Sequence, residues 1–346
     1  MSIEERIKTE AARLGFALCG IAAADAPLRY SEYLSWLEND FHAGMDFMAR
    51  PDAIGKRQDP RFLLPDCKTI ICLAIAYRPN PSKPPSEPGC PIGTIAAYAT
   101  YPDYHDILRE KISQLQHFIT DNLSASANYY IAVDTAPILE KNFFQQAGLG
   151  WIGRNSCLTS AGHGSWLLLG ELLTTLPLQA DQTLPSHSCQ DCLRCMIACP
   201  TKALQPNYTV DARRCLSYLT IEHRGPISEE FRPKMGTRIF GCDTCQHICP
   251  HTSTNQSETV EFPIKPVLNP YVSLLEAFAL TEAEFRQQYA GTPVLRARYQ
   301  GFRRNVAIAM GNCKDPVVIP TLRHAAQNER DPIVREASAW SLSCFV

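Results

Sequence analysis

The run "CQDCLRCMIACP", residues 189–200, decides what kind of domain occupies the centre of this chain. Its spacing, C-x2-C-x2-C-x3-C-P, is that of the bacterial ferredoxin loop. Three thiolates in one tight loop bind three irons of a 4Fe–4S cubane, with backbone N–H groups directed at the sulfurs, and the fourth cysteine binds a different cluster. Zinc ribbons use separate C-x2-C pairs instead. The run therefore predicts a two-cluster ferredoxin-like domain; zinc sites or structural cysteines are the alternatives.

A second run, "GCDTCQHICP" at residues 241–250, supplies three more cysteines and lacks one expected member. Cys215, in "DARRCLSYL", is the obvious supplement. The crossing rule then predicts one cluster on Cys189, Cys192, Cys195 and Cys249, and the other on Cys199, Cys215, Cys242 and Cys245. The remaining cysteines are expected to act as small buried hydrophobes: Cys19, Cys67, Cys72, Cys90, Cys157, Cys313 and Cys344.

The composition is that of a globular chain of two or three domains, with 346 residues, 45% of them hydrophobic and 20% charged. The formal net charge of −2 gives no global attraction to nucleic acid, so RNA binding would need a local basic patch. The N-terminus lacks a signal-peptide pattern, and the longest apolar run, residues 69–77, is too short to span a membrane. We therefore expect a cytoplasmic protein without membrane association, in which fifteen cysteines indicate metal or redox chemistry.

Strands and helices alternate up to about residue 185, which predicts an α/β or α+β domain over 1–185. A cysteine- and proline-rich domain over 186–255 and a helical domain over 256–346 follow. In the first domain, helices are expected at 4–15, 28–39, 106–123 and 138–147, and strands at 17–22, 69–77, 129–134 and 165–178. Six prolines make 78–93 an irregular loop or lid.

The C-terminal part is expected to be helical from Val267 onward and contains two near-repeats, "KDPVVIPTLRHAAQN" and "RDPIVREASAWSLSC". Each opens with Asp-Pro, so that Asp315 and Asp331 can cap helices that begin with proline. Repeats of this kind predict a short array of HEAT-type helices. An ordinary helical bundle is the alternative.

The stretch "AGLGWIG", residues 147–153, matches the G-x-G-x-x-G dinucleotide fingerprint letter by letter. A Rossmann loop must follow a strand and open a helix, whereas these glycines follow a predicted helix and precede a turn-like segment. We therefore interpret Gly148 or Gly150 as a left-handed helix cap.

Asp134 closes the predicted apolar strand "YYIAV". A carboxylate at the end of a buried strand is a common catalytic placement, and burial would raise its pKa and let it hold a proton. An Asp that caps the helix beginning near Pro137 is an equally good interpretation.

Taken together, the cysteine runs, "VDTAPILEKNFFQQAGLGWIGRN" (133–155) and "VDARRCLSYLTIEHRGPI" (210–227) resemble the epoxyqueuosine reductase family over nearly the whole chain. The resemblance implies a cobalamin-dependent oxidoreductase that reduces epoxyqueuosine to queuosine at wobble position 34 of tRNA, the last step of queuosine biosynthesis. The implied tRNAs have GUN anticodons (Tyr, His, Asp and Asn), an external donor supplies electrons, and a monomer is expected.

The resemblance also implies a mechanism. The two clusters pass electrons singly to the cobalt, which attacks or reduces the epoxide, and Asp134 protonates the leaving oxygen. The D-x-H-x-x-G cobalamin motif is absent, since Asp103-Tyr104-His105 begins it and the glycine is missing. The cofactor-lining positions implied are Arg57, Ala97, Asp134, Leu158, Leu169, Ser217 and Asp243. The segment "IAAYATYPDYH" departs from the family form, Arg-Tyr-Ala-x-Gly-x-Asp-Tyr-His, in lacking the arginine and the glycine.

For tRNA, residues 286–304 contain five arginines and no acid, interleaved with aromatic Tyr289, Tyr299 and Phe302. A solvated helix face is the alternative for any one arginine. The residues expected to contact tRNA are Arg224, Arg296, Arg298, Arg303 and Arg304. Two other functions compete with tRNA modification: a dehalogenase-like corrinoid iron–sulfur reductase acting on a small molecule, and a non-enzymatic electron carrier.

Overall fold

The computed structural model describes residues 1–78, 89–124, 126–182, 189–252 and 264–345. Most of the proline-rich loop expected at 78–93, and both expected domain boundaries, near 185 and 255, lie outside the described residues. Within the described ranges, no helix is long and apolar enough to cross a membrane.

The first half of the chain contains a four-stranded sheet and the helices that cover it. Its helices are α1 Ile3–Arg13, α2 Tyr30–Glu38, α3 Asp46–Ala49, α4 Pro51–Gln58, α5 Tyr104–Asn122 and α6 Glu140–Gln146. The strands in this half of the chain are β1 Leu18–Ala23, β2 Thr69–Ala76, β3 Ile92–Ile95, β4 Tyr129–Ala132, β5 Trp151–Ile152, β6 Leu158–Thr159 and β7 Leu167–Thr174.

The second half is mainly helical, and two short strands interrupt the helices. The helices are α7 Arg194–Ala198, α8 Leu216–Ile221, α9 Arg232–Met235, α10 Thr244–His247, α11 Leu274–Ala279, α12 Glu282–Gln288, α13 Arg298–Cys313, α14 Ile319–Asn328 and α15 Pro332–Ser343. The strands are β8 Arg238–Phe240 and β9 Tyr271–Ser273, and short 3₁₀ turns occur at Pro60–Phe62, Ala97–Thr100, Pro250–Thr252, Pro293–Ala297 and Pro316–Val318.

The main sheet has the order β1-β2-β7-β4, and every neighbouring pair is antiparallel. The mixed α+β class is therefore confirmed, whereas an α/β sheet of parallel strands is wrong for this domain. All eight residues of β2 are buried, because helices cover both faces of the sheet. Residues of β2 alternate between the two cores: Ile71, Leu73 and Ile75 face α1 and α5, and Ile70, Cys72 and Ala74 face α6.

A second, three-stranded sheet has the order β8-β3-β9, with β3 parallel to β8 and antiparallel to β9. Each of the three domains expected from the sequence thus supplies one strand to it. Gly241, which leads from β8 to Cys242, has φ +72, and a Cβ there would lie 2.5 Å from the Cβ of Ala96. Only glycine permits this close approach next to the cysteine run.

The C-terminal helices pack around α13, which contacts both α11 and α15. Asp331 caps α15 by accepting from the N–H groups of Ile333 and Val334, and Asp315 accepts from Val317 at the start of the Pro316–Val318 turn. The capping expected for both Asp-Pro pairs is therefore confirmed. The prediction of helical structure from Val267 onward is wrong for Tyr271–Ser273, which forms β9 of the second sheet, and is confirmed for α11 to α15.

The glycine-rich stretch forms a helix cap and a tight hairpin. Gly148 has φ +68, and the N–H of Leu149 donates to the carbonyl of Phe144 at 3.0 Å, the bond of a left-handed helix end. A Cβ on Gly150 would lie 2.3 Å from the carbonyl oxygen of Thr159, so this position needs glycine for close strand approach. The interpretation as a cap is confirmed, and the segment has no Rossmann context.

Candidate active site

Eight cysteines lie in two neighbouring groups, which the contact between α7 and α10 holds together. One small cavity is lined by Cys189, Cys192, Cys195 and Cys249. In the other group Cys215 lies within electrostatic range of Cys199 and Cys242, and Cys245 within range of Cys215 and Cys242. The structure thus gathers the first predicted set around one cavity and places the second set beside it, with Cys245 also within electrostatic range of Cys195 and Cys157.

Backbone N–H groups are directed at two of these sulfurs. The N–H of Arg154 donates to Cys189 Sγ at 3.4 Å, and the N–H of Ala203 donates to Cys199 Sγ at 3.3 Å. Such bonds stabilise negative charge on thiolates and on the clusters they bind. Within the described residues, no three His, Cys, Asp or Glu side chains lie close enough to hold a single metal ion.

A cavity of about 770 Å³ lies beside the second cysteine group, between the second sheet and α10. Its walls include Ala97, Cys242, Asp243 and His247. The N–H of Ala97 donates to Asp243 Oδ2 at 2.7 Å, which ties the Ala97–Thr100 turn to the cysteine run. The volume is within the range of cofactor sites.

Two of the residues expected to line a cofactor, Ala97 and Asp243, therefore meet at this cavity. Leu158 is buried and Leu169 half-buried in the core between the main sheet and α6, and Ser217 lies in α8. Arg57 is buried in α4, with its guanidinium 5.5 Å from the ring centroid of Tyr33. None of these four lines the cavity.

Asp134 lies two residues beyond the end of β4, and its side chain is 56% exposed. It does not cap the following helix, because α6 begins at Glu140 with Leu139 as its uncapped N-cap residue. The interpretation of Asp134 as a helix cap is therefore wrong. Asp134 has φ +39, a left-handed conformation that is uncommon outside glycine and occurs at functional sites.

His105 joins Asp134 to a second carboxylate. His105 Nε2 lies 3.2 Å from Asp134 Oδ2, and His105 Nδ1 lies 2.7 Å from Asp103 Oδ1. Asp103 also caps α5 by accepting from the N–H of His105, and the ring of Tyr104 stacks on the imidazole with centroids 4.2 Å apart. The imidazole is therefore fixed between two carboxylates.

The electrostatics of this group differ from the sequence expectation. Burial alone would lower the pKa of His105, but the two carboxylates outweigh it and raise the pKa to about 9. The protein packed around the carboxyl group of Asp134 would by itself raise its pKa, although part of the side chain is exposed. The hydrogen bond and charge of His105 outweigh this effect and lower the pKa. A raised pKa at Asp134 is therefore wrong, because the proton of the pair resides on the imidazole. His105 and Asp103 were missed as site residues, although the Asp-x-His spacing at a helix start is a readable signal.

Three exposed arginines lie close to one another, and one of them, Arg296, lies near this group. Arg224 donates to the carbonyls of Arg296 and Ala297, at 3.1 and 3.2 Å, and lies within electrostatic range of Arg298. Arg296 is 54% exposed, pairs with Glu222 and is close enough to Asp134 to lower the pKa of its carboxyl. These arginines, Arg224, Arg296 and Arg298, are named the arginine face.

The last two arginines expected to contact tRNA have other roles. Arg304 is 1% exposed and donates to the carbonyls of Leu219, His223 and Gly225, so its assignment to phosphate is wrong. Arg303 is paired with Glu329 at 2.6 Å, stacked on Phe278 and only 15% exposed, so little of its guanidinium is accessible to a phosphate. Two of the expected aromatics, Tyr289 and Phe302, are buried in the core.

Comparison with known proteins connects this geometry to a family. Residues 57–135 match the family model described as epoxyqueuosine reductase QueG, DUF1730. The epoxyqueuosine reductase of Escherichia coli K12 is 38% identical over 344 residues, covering 99% of this chain and 89% of the relative. The chain belongs to the epoxyqueuosine reductase family. The Vibrio cholerae epoxyqueuosine reductase is also 38% identical, covering 98% of this chain and 91% of that protein.

Solved structures of epoxyqueuosine reductases have the same fold. The Streptococcus thermophilus enzyme is 31% identical, with a TM-score of 0.90, covering 100% of this chain and 91% of that one. A crystal structure of an epoxyqueuosine reductase with a tRNA-Tyr epoxyqueuosine-modified stem loop has 27% identity and a TM-score of 0.89, covering 99% and 90%. A Bacillus subtilis epoxyqueuosine reductase, with its Asp134 catalytic loop swung out of the active site, has 26% identity and a TM-score of 0.89, covering 99% and 90%.

The cysteine-rich part of this epoxyqueuosine reductase family member matches a second model. Residues 188–252 match a 4Fe–4S double cluster binding domain. The expectation of two 4Fe–4S clusters is therefore confirmed, and zinc sites are not supported. Membership of an enzyme family also favours an oxidoreductase over a non-enzymatic electron carrier, and tRNA modification over a dehalogenase-like reaction.

Proposed function

We propose that the protein reduces epoxyqueuosine to queuosine at the wobble position of tRNAs with GUN anticodons, those for Tyr, His, Asp and Asn. The observation that carries the proposal is the placement of Asp134 against the His105 imidazole in a chain 38% identical to an epoxyqueuosine reductase along 99% of its length. The reaction consumes two electrons and two protons, breaks the epoxide carbon–oxygen bonds, forms a carbon–carbon double bond and releases water.

Electrons enter through the cysteine domain. We assign one cluster to Cys189, Cys192, Cys195 and Cys249, which share a cavity wall, and the other to Cys199, Cys215, Cys242 and Cys245. An external electron donor reduces them. Because Cys242 also lines the cavity of about 770 Å³, the second cysteine group adjoins the space in which a cofactor fits.

That cavity suits a large cofactor, because it is roomy, has mixed polar and apolar walls and contains a carboxylate fixed by a backbone N–H. Cobalamin would supply a low-valent cobalt that reduces the epoxide. Ala97 and Asp243 are the residues here that would hold it. Arg57, Leu158, Leu169 and Ser217 remain proposed cofactor contacts from the family resemblance.

Proton delivery is the task of Asp134 and His105. The oxygen released from the epoxide needs a proton, because an alkoxide or hydroxide is a poor leaving group. Asp103 holds the imidazole through Nδ1, so that the Nε2 proton faces the carboxylate of Asp134. The proton passes from the imidazole to Asp134 and then to the leaving oxygen. Solvent reprotonates the imidazole, so that the same relay delivers the second proton and the oxygen leaves as water.

Substrate tRNA is held by the arginine face. Arg296 lies between its acidic partner Glu222 and the Asp134 carboxylate, so a phosphate bound there stands beside the proton donor. Arg224, within electrostatic range of both Arg296 and Arg298, adds to the positive charge of this face. A base turned out of the anticodon loop can then reach Asp134.

The overall organisation proposed is a catalytic domain over 1–185, a two-cluster domain over 186–255 and HEAT-like helices over 256–346 that carry tRNA contacts. The packing of α13, α14 and α15 in pairs supports the helical assignment. A cytoplasmic monomer is the proposed state.

A genetic test addresses the function. The gene is expressed in a bacterium that lacks its own epoxyqueuosine reductase, and nucleosides from bulk tRNA are quantified by mass spectrometry. Restored queuosine with loss of epoxyqueuosine is expected. Persistent epoxyqueuosine, despite soluble protein with full iron content, would refute the proposal.

A further inference from the structure

A carboxylate behind Asp134 holds the backbone of the catalytic loop. Glu140 Oε1 accepts a hydrogen bond from the backbone N–H of Asp134 at 2.8 Å. Asp134 is in the left-handed region, at φ +39, where residues other than glycine need support from their surroundings. This bond reaches Asp134 from outside the turn that contains it, so it can determine which conformation the loop adopts.

Glu140 is placed on a rigid element. It is the first residue of α6, and the next turn of that helix buries Phe143 and Phe144 completely against the main sheet. The carboxylate therefore has a fixed origin from which to hold Asp134. Burial, and then the negative charge of Asp134, raise the pKa of Glu140 to about 7.

A second carboxyl lies beneath this helix. Glu171 in β7 is 0% exposed, and it pairs across the sheet with Ala132, two residues before Asp134. It lies on the same face of β7 as Leu169 and Leu173, the face that packs on α6. Among the described residues, neither of its carboxyl oxygens has a hydrogen-bond partner. A carboxyl group that is so deeply buried and has no hydrogen-bond partner is held in its neutral, protonated form.

The groups that face these acids are few and mostly acidic or neutral. Glu171 meets Cys72 from β2 and Glu140 from α6. Glu140 meets Asp134 and His105, and its neighbour Lys141 donates to the carbonyl of Ser156 instead. No ion pair among the described residues involves Glu140 or Glu171, so protonation of Glu171 prevents repulsion between two buried negative charges here.

We propose that Glu140 is a positioning residue that fixes the Asp134 loop in its catalytic conformation. Glu171 beneath it is neutral and therefore does not repel the Glu140 side chain from this position. This inference rests on the proposed function, because it concerns the loop that carries the proton donor. In the Bacillus subtilis relative the catalytic loop is swung out of the active site. Glu140 is the contact that would hold the loop in.

The test compares four variants in steady-state reduction of an epoxyqueuosine-containing tRNA stem loop. Glu140→Gln keeps an oxygen that can accept the Asp134 N–H, so its rate constant should stay within about 3-fold of the wild type. Glu140→Ala removes the acceptor and Glu140→Asp withdraws it, and each should lower kcat about 100-fold, since small misplacement of a catalytic group costs this much. Glu171→Gln copies a neutral acid and should be close to wild type. KM for the stem loop and iron content should not change in any variant.

The outcomes separate three claims: the positioning role of Glu140, the neutral state of Glu171 and the proposed function. Wild-type kcat in both Glu140→Ala and Glu140→Asp would overturn the positioning role, as would a Glu140→Gln enzyme as slow as Glu140→Ala. If Glu140→Ala does not fold, Glu140→Asp and Glu140→Gln still decide. A large loss of kcat in folded Glu171→Gln would overturn the neutral state of Glu171. Absence of turnover by the iron- and cobalamin-loaded wild type would instead refute the proposed function.

Discussion

His105 Nε2 lies 3.2 Å from Asp134 Oδ2, although 29 positions separate the two residues in the chain. Asp103 contacts the opposite ring nitrogen, Nδ1, so the imidazole is the group of this site that carries the proton. An exposed aspartic acid alone would be ionised at neutral pH and could donate nothing. The pair therefore explains how a carboxylate with a lowered pKa can still deliver a proton.

Replacement of His105 should reduce catalysis without loss of cofactors. His105→Gln keeps a side chain of similar reach but cannot carry the proton, and we expect kcat to fall roughly 100-fold, within the usual contribution of general acid catalysis. Stopped anaerobic reactions with a modified stem loop measure this. Iron content and stem-loop affinity serve as controls. A variant with unchanged kcat would show that Asp134 obtains its proton elsewhere.

The catalytic rate should fall at alkaline pH, because His105 loses its proton there. Its pKa is raised to about 9 in the folded protein. A raised pKa means that the stabilisation from the two carboxylates is complete below the ordinary histidine pKa of about 6.5 and is lost as pH rises through about 9. Catalysis should fall over the same upper range, because the deprotonated ring has no proton to give.

The pH profile of kcat/KM from 6 to 10 checks this expectation. In the wild type the profile should be level near neutrality and should fall with a midpoint near pH 9. In His105→Gln this alkaline decline should disappear while the residual rate stays low. A decline that is identical in the two proteins would assign it to another group.

The arginine face should contribute to RNA affinity, whereas the buried arginine should contribute to stability. Arg296→Ala and Arg298→Ala should each weaken stem-loop binding roughly 3- to 10-fold and reduce the salt dependence of binding by about one phosphate contact. Arg304→Ala should instead leave three backbone carbonyls unpaired and cost about 3 kcal/mol or more of stability. Fluorescence anisotropy at several salt concentrations, with thermal melting alongside, separates these effects. Unchanged affinity in both Arg296→Ala and Arg298→Ala would contradict the assignment.

The two cysteine groups should respond separately to substitution. Cys249→Ser removes one member of the first group, so that iron should fall from about eight to about four per chain. Cys90→Ser, at an exposed cysteine outside both groups, is the matched control and should retain all iron. Full iron in Cys249→Ser, or equal loss in the control, would refute the grouping.

Much of this fold could be predicted from local sequence patterns. The cysteine spacing, the apolar faces of α1 and α5, and the apolar run of β2 after Thr69 are each determined within a few residues of sequence. The helix cap at Gly148 was predictable for the same reason, since left-handed backbone favours glycine.

Features that depend on residues far apart in the chain could not be predicted from the sequence. Antiparallel pairing of β1, β2, β7 and β4 depends on which strands meet, and no single strand records it. The burial of Arg304 depends on carbonyls about 80 residues away, so its sequence neighbourhood gave the wrong role. The lowered pKa of Asp134 likewise depends on His105, which only the folded chain brings near.

One measurement tests the central claim most directly: anaerobic conversion of an epoxyqueuosine-containing tRNA stem loop by protein loaded with iron, sulfide and cobalamin, in wild-type and Asp134→Asn forms. Asparagine preserves the shape of the side chain but cannot relay a proton from His105. The account predicts complete conversion to queuosine by the wild type, and at least 100-fold slower conversion by Asp134→Asn with full iron content and unchanged stem-loop affinity. Equal rates for the two proteins would contradict it.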